Sequence, residues 1–182
     1  MASAIGHVIA AVGLGTIVLP LPAPRRLWIF AAACSVLPDI DAVGFHLGVP
    51  YGAFWGHRGF THSLLFAAAL ASAVLFAAFK DLPPPLSKTR LWSYLFVATA
   101  SHGVLDAMTN GGLGVAFFSP FDTSRYFFPW RPILVSPISI TRFFTTRGLA
   151  VLQSEILWIW IPTICVAAIA YLSRSRRAPE PR

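Results

Sequence analysis

The stretch "GHRGFTHS", residues 56–63, sets two histidines, an arginine, a threonine and a serine into a chain that is 56% hydrophobic and only 12% charged. Imidazole and carboxylate groups recur at a few other places: His7 in the first apolar run, Asp39 and Asp41 in "LPDID", His102 and Asp106 in "SHGVLD", and Glu155 in "QSEILWIW". His102 and Asp106 are four apart and share a face if helical, a spacing that suits two ligands of one metal, or a ligand and the carboxylate that orients it. His57 and His62 are five apart, a poor spacing for one helical face. His57 is therefore expected in a loop, ahead of a helix that starts at His62 with Thr61 as its cap. Mixed nitrogen and oxygen donors favour zinc, manganese or iron over calcium. The core ligand set is Asp39, His57, His62, His102 and Asp106, with His7 and Asp41 either completing it or holding it in place. That is more than the three or four protein ligands of a single catalytic zinc, so the set implies one or two divalent ions, zinc first and manganese second. The chemistry is metal-assisted hydrolysis, in which the ion lowers the pKa of a bound water to about 7 and polarises the scissile bond. Glu155 is the carboxylate placed to act as general base. Arg58, beside the ligands, is placed to neutralise an anionic group in the substrate or transition state. Asn110, followed by two glycines, and Arg125 are further candidates for contacting substrate.

The elements that must position these groups follow from hydropathy. Mean hydropathy is +0.68 over 182 residues, too apolar for a water-facing surface, since soluble domains carry about 25% charged residues. Five apolar stretches stand out, about 3–19, 27–38, 62–79, 91–108 and 149–172, separated by breakers such as "PLPAPRR" and "DLPPPLSK". The expected fold is all-α, a polytopic integral membrane protein of about five transmembrane helices with interfacial or re-entrant pieces in 109–148. One membrane-embedded catalytic domain covers 1–172, and a basic cytoplasmic tail covers 173–182. Arg25 and Arg26 follow the first apolar run instead of preceding it, which argues for a retained first helix over a cleaved signal peptide. With the N-terminus outside, nine of the 14 basic residues fall inside and five outside, so N-out, C-in is favoured. All the candidate site residues then reach the outer side, at the ends of four or five helices. Ionisable groups inside membrane segments cost roughly 2.5–3.5 kcal/mol each, so they tend to be rare and functional.

The net charge of +7 does not imply a nucleic-acid partner, because the basic residues flank apolar segments, where they set topology or meet anionic lipid. Cys34 and Cys165 lie within apolar runs and read as small hydrophobic filler. His46 reads as a wet loop histidine. Asp122 reads as a local turn bond or a pair with Arg125.

These motifs, with "SHGVLDAMTNGGLGVAFFSPF" at 101–121 and "QSEILWIWIP" at 153–162, resemble the bacterial membrane-bound metal-dependent hydrolases, the YdjM-like, LexA-regulated inner-membrane proteins. The resemblance covers most of the chain. It implies a multi-pass inner-membrane protein with hydrolase activity. The order of early His, Pro-Asp, Thr-His-Ser and His-x-x-x-Asp is similar, more faintly, to the zinc-dependent phospholipases C. Membrane lipid and a lipid-like or lipid-linked substrate are the expected partners, with a phosphoester the favoured bond. The rival reading is a divalent-metal transporter or metal-sensing membrane protein. A transport pathway should place ligands at several depths, whereas here they gather at one face.

Overall fold

A computed structural model describes residues 1–175. Most of the expected tail, from Arg176 on, lies outside the described residues. All regular elements among the described residues are helical: α1 (Ala4–Val18), α2 (Arg25–Val36), α3 (Leu64–Ala78), α4 (Lys88–Ala107), α5 (Ile140–Phe143), α6 (Thr146–Glu155) and α7 (Ile161–Ser175). A 3₁₀ run, Leu37–Leu47, extends α2, and a five-residue π segment, Ile156–Trp160, joins α6 to α7. Pairing between extended segments is limited to two isolated bridges, Thr109 with Ile133 and Val115 with Tyr126.

Small hydroxyl residues start the helices. Ser3, Ser63, Ser87 and Thr145 each accept a hydrogen bond from an N–H two or three residues on, at Gly6, Phe66, Arg90 and Arg147, as N-caps do. The cap of α3 is thus Ser63, not Thr61. Thr61 is diverted because its hydroxyl donates to Asp41 at 2.6 Å.

Helix α4 is the hub, packed against α1, α2 and α3, while α1 also packs against α2 and α7. The shared core is Leu27 and Ala31 of α2, Ala71 and Leu75 of α3, and Leu91, Tyr94, Leu95 and Ala98 of α4, with Leu19 and Phe79 at helix ends. Glycines on α1 permit this density. A Cβ on Gly15 would come within 2.5 Å of Trp28 and of the Tyr94 hydroxyl, and one on Gly13 within 2.0 Å of Thr163 on α7. Small residues at helix contacts are what packing in lipid calls for, because close backbone approach supplies the van der Waals contact there. At the far end of α1, Arg174 donates to the carbonyls of Thr16 and Leu19, both at 2.8 Å, and of Ile17.

Two helical stretches, Arg25–Leu47 and Thr146–Arg174, are long and apolar enough to cross a membrane, and Ala4–Val18 and Leu64–Ala78 are shorter apolar helices. The segment after α4 folds back over the helix ends. Asn110 N–H donates to Ile133 O, Phe128 N–H to Ala107 O, and Val115 and Tyr126 exchange two bonds at 2.9 Å. Leu64 N–H donates to Phe117 O and Ser136 N–H to Met1 O, so this segment ties the starts of α3 and α1 to the end of α4.

Candidate metal centre

Chain alternation brings the starts of α1 and α3, the ends of α2 and α4, and the end of α6 to one face of the bundle, which is where the polar residues lie. Four ligand atoms converge there, one each from Asp39, His62, His102 and Asp106, all within 4.8 Å of one another. His62 Nε2 and His102 Nε2 are 3.0 Å apart. Asp39 Oδ1 is 3.6 and 3.3 Å from them, and Asp106 Oδ2 is 3.6 and 4.0 Å from them. Tetrahedral zinc with bonds of about 2.0–2.2 Å needs ligand separations of roughly 3.3–3.6 Å, so the spacing fits.

The hydrogen bonds around the ligands fix what they can hold. His102 Nδ1 is 2.7 Å from the carbonyl of Ser35, and a carbonyl only accepts, so Nδ1 carries a proton and Nε2 is the nitrogen turned to the carboxylates. His62 Nδ1 faces Asp41 Oδ2 at 3.1 Å and Thr61 Oγ at 3.1 Å. The Thr61 proton already goes to Asp41, so His62 Nδ1 is also the donor. The two Nε2 atoms thus meet at 3.0 Å beside two carboxylates. Carboxylates on both sides call for positive charge between them, which a proton on one Nε2 or a divalent ion in its place supplies. Both oxygens of Asp39, Asp106 Oδ2, both nitrogens of His7 and His57 Nε2 are buried without a hydrogen-bond partner. Buried polar groups are ordinarily satisfied, so their concentration here marks a cluster that could hold an ion.

The remaining expected ligands divide. Asp41 accepts from His57 Nδ1 at 2.6 Å, Arg58 N–H at 3.1 Å, Thr61 Oγ and His62 Nδ1. Its oxygens are committed to protein donors, so it orients histidines, as carboxylates behind metal-bound imidazoles do. His57 pairs with Asp41 outside the four-atom group, and Asp41, His57 and His62 form a second group whose ligand atoms lie within 4.8 Å of one another and could hold an ion. His7 stacks on His102, rings 3.7 Å apart and 13° from parallel, with Nε2 3.5 Å from Asp106 Oδ1. It stands beside the four-atom group.

Arg58 is fully buried and faces inward. Its Nε lies 3.1 Å from Asp106 Oδ2, while its terminal nitrogens donate to Gly111 O and Thr109 Oγ, both at 2.9 Å. Its backbone is left-handed, φ 62°, a conformation that costs a non-glycine residue roughly 1–2 kcal/mol. Bonds from its N–H to Asp41 and from Ala116 N–H to its carbonyl hold it there. Instead of meeting substrate, Arg58 ties Asp41 to Asp106. Arg125 is likewise engaged, donating to the carbonyls of His57, Tyr51 and Ala53. Asn110 accepts from Val135 N–H. Asp122 bonds Ser124 N–H and the Tyr126 hydroxyl, not Arg125, and the Ser124 side chain, the Tyr126 hydroxyl and the Ser124 N–H, in that order, hold its carboxyl below the usual range. His46 is exposed, on the wall of a neighbouring cleft.

Glu155 has its oxygens on Ser3, one accepting from the backbone N–H and the other from the hydroxyl, each at 2.5 Å. Gly6 allows this, since a Cβ there would lie 3.0 Å from Glu155 Oε2. Ala2 N–H donates to Asp106 Oδ1 at 2.6 Å. The placement of Glu155 therefore differs from that of a free base: it anchors the start of α1 beside Asp106. Ser3 and the Ser35 carbonyl are the positioning groups that sequence reasoning missed. The first carries an ordinary N-cap signal, and a backbone carbonyl carries none.

An all-helical, lipid-compatible bundle with buried histidines and aspartates gathered at one end defines a membrane protein with a candidate metal centre. A family model described as YdjM inner membrane protein matches residues 1–178, and the chain belongs to that family. It is 38% identical over 162 residues to "Inner membrane protein YbcI" of Escherichia coli (strain K12), spanning 89% of this chain and 90% of that one. No solved structure matches it.

Proposed function

We propose that this chain is a metal-dependent hydrolase of the inner membrane that cleaves a lipid or lipid-linked substrate, favouring a phosphoester. The observation that carries this reading is the convergence of two imidazole nitrogens and two carboxylates, their ligand atoms within 4.8 Å of one another. Asp39, His62, His102 and Asp106 would hold the ion, with His7 as the neighbouring donor. Zinc suits this donor set best, with manganese second. Such an ion supplies Lewis acidity and a water acidified to about pKa 7.

The chain's own residues do the rest. Ser35 and Asp41 keep His102 and His62 in the tautomer that points Nε2 inward. Arg58 fixes the Asp106 carboxylate. Among the four ligands, Asp39 has the most exposed side chain, 9%, and neither of its buried oxygens has a hydrogen-bond partner in the protein. In this reading the chain makes five membrane crossings, α1, α2 with its 3₁₀ extension, α3, α4 and the α6–α7 rod, of which Arg25–Leu47 and Thr146–Arg174 are long and apolar enough to span. With N-terminus out and C-terminus in, the centre lies at the periplasmic surface, at headgroup depth. Residues 1–172 act as one catalytic domain.

Metal content of detergent-purified protein, wild type beside His102→Ala and Asp39→Ala, is the deciding experiment. One or two zinc or manganese ions per wild-type chain, lost from both folded variants, is the expected result. Release of product from phospholipid or isoprenoid-phosphate substrates should follow the metal. Wild type that stays metal-free after incubation with zinc and manganese would overturn the reading. Metal without hydrolysis, together with ion flux into liposomes, would turn it to transport.

A further inference from the structure

Beside the metal centre is a cleft of about 770 Å³ between the 3₁₀ run and the segment 135–142. Its polar wall includes Tyr51, His57 and Arg142, and its apolar wall includes Phe45, Val135 and Ile138. His57 joins it to the metal centre, because Asp41 holds His57 on one oxygen and His62 on the other. His57 Nε2 is buried with no partner. Arg142 is exposed, and its guanidinium has no ion pair or hydrogen bond among the described residues. Arg58 and Arg125, the two arginines singled out from the sequence, spend their donors on the protein.

The strap 136–140 forms one edge of this cleft and also one edge of a second depression, about 260 Å³, walled by Ile5, Phe143 and Phe144. The two share Met1, Ser136, Pro137, Ile138 and Ile140. The strap therefore borders both depressions: the first carries Arg142, Tyr51 and His57 among apolar residues, and the second is apolar with an open rim, where Ile140 is 76% and Phe144 81% exposed. That sequence of surfaces matches one amphiphile, an anionic head followed by a hydrocarbon chain.

We propose that this track seats a single phosphate-bearing lipid, its headgroup on Arg142 beside Tyr51 and His57, and the first part of its chain along Ile5, Phe143 and Phe144. This deepens the hydrolase reading above by naming the substrate class, and it makes Arg142 the headgroup-selecting residue. An arginine offers a planar fork of donors that suits phosphate, and the unpaired imidazole adds a further polar contact.

The test is binding, read separately from catalysis. Full-length protein in phosphatidylcholine nanodiscs receives a spin-labelled, non-hydrolysable phosphonate analogue of phosphatidic acid, and the immobilised fraction is measured by electron paramagnetic resonance. Wild type should immobilise the analogue in preference to spin-labelled phosphatidylcholine. Arg142→Gln should weaken this about ten-fold, as loss of one charge-assisted contact implies, and Phe144→Ser should weaken it too. Arg90→Gln, which alters a cleft at the opposite end of the bundle, should leave it unchanged. Equal losses from Arg142→Gln and Arg90→Gln, or no preference for the analogue, would overturn the proposal. Displacement by inorganic phosphate with no dependence on chain length would assign the cleft to free phosphate and overturn it as a lipid site. Retained binding with no hydrolysis of the natural ester would leave this inference standing and remove the hydrolase reading. Hydrolysis that is insensitive to Arg142→Gln would do the reverse.

Discussion

At the scale of single residues, the Nδ1 atoms of His57, His62 and His102 each have a fixed partner, Asp41 for the first two and the Ser35 carbonyl for the third. Asp41 is the most loaded group, accepting from His57, Arg58, Thr61 and His62. Asp41→Asn keeps the shape but replaces an acceptor oxygen by an amide that donates toward donors. Zinc affinity should fall 10–100-fold, the usual cost of losing a ligand's hydrogen-bond partner, with helix content unchanged; competition against a chromophoric chelator measures this. Arg58→Ala leaves Asp106 buried without its cation and should destabilise the protein by about 3–5 kcal/mol. Arg58→Lys should not restore it, because a point ammonium cannot reach Asp106, Thr109 and Gly111 together. Differential scanning fluorimetry in detergent reads both, and a lysine variant of wild-type stability would contradict the role given to Arg58. For Glu155→Gln the expectation is retained metal and a fall in hydrolysis of less than about ten-fold. Loss of a general base removes roughly 10²–10⁴, so a drop of that size would return Glu155 to the role its sequence position suggests.

At the scale of elements, the site depends on how closely α1 approaches α4 and α7. Its place beside them puts His7 on the ring of His102 and Ser3 on Glu155. Glycine-sized positions make that approach possible: at Gly15 any side chain meets Trp28 and Tyr94. Gly15→Val should cost about 1–3 kcal/mol through overpacking and lower metal occupancy with it, whereas Ile29→Val, on an exposed position of α2, should change neither. Thermal midpoint and elemental analysis of the same preparations check the pair. The π segment after Glu155 changes the helical register between α6, whose Glu155 meets Ser3, and α7, whose Thr163 lies against Gly13. Such insertions are frequent at functional sites.

At the scale of the whole molecule the question is which side of the membrane the centre faces. The basic residues predict N-out, C-in. In a Cys34→Ser, Cys165→Ser background, Phe121→Cys near the centre should react with a membrane-impermeant maleimide in spheroplasts, and Pro84→Cys between α3 and α4 should react only after lysis. The opposite pattern would place the centre in the cytoplasm and change the available substrates. The large-scale features were legible from composition, because a lipid solvent demands long apolar runs and punishes stray charge. Each of the five apolar stretches holds a helix, and the histidines and aspartates singled out by type lie together at one end. What each of them does was not legible. Type and spacing cannot tell that Asp41 faces protein donors while Asp39 does not. They cannot tell that Thr61 serves Asp41 instead of a helix, or that Arg58 and Arg125 turn inward while Arg142 is left free. Those assignments depend on which donor lies nearest each oxygen across gaps of 15 to more than 100 residues, and only packing the helices sets those distances. The sequence by itself determined the solvent, the helices and which residue types could hold an ion; the tertiary structure decided which of them gather within 4.8 Å of one another and which hold the others in place.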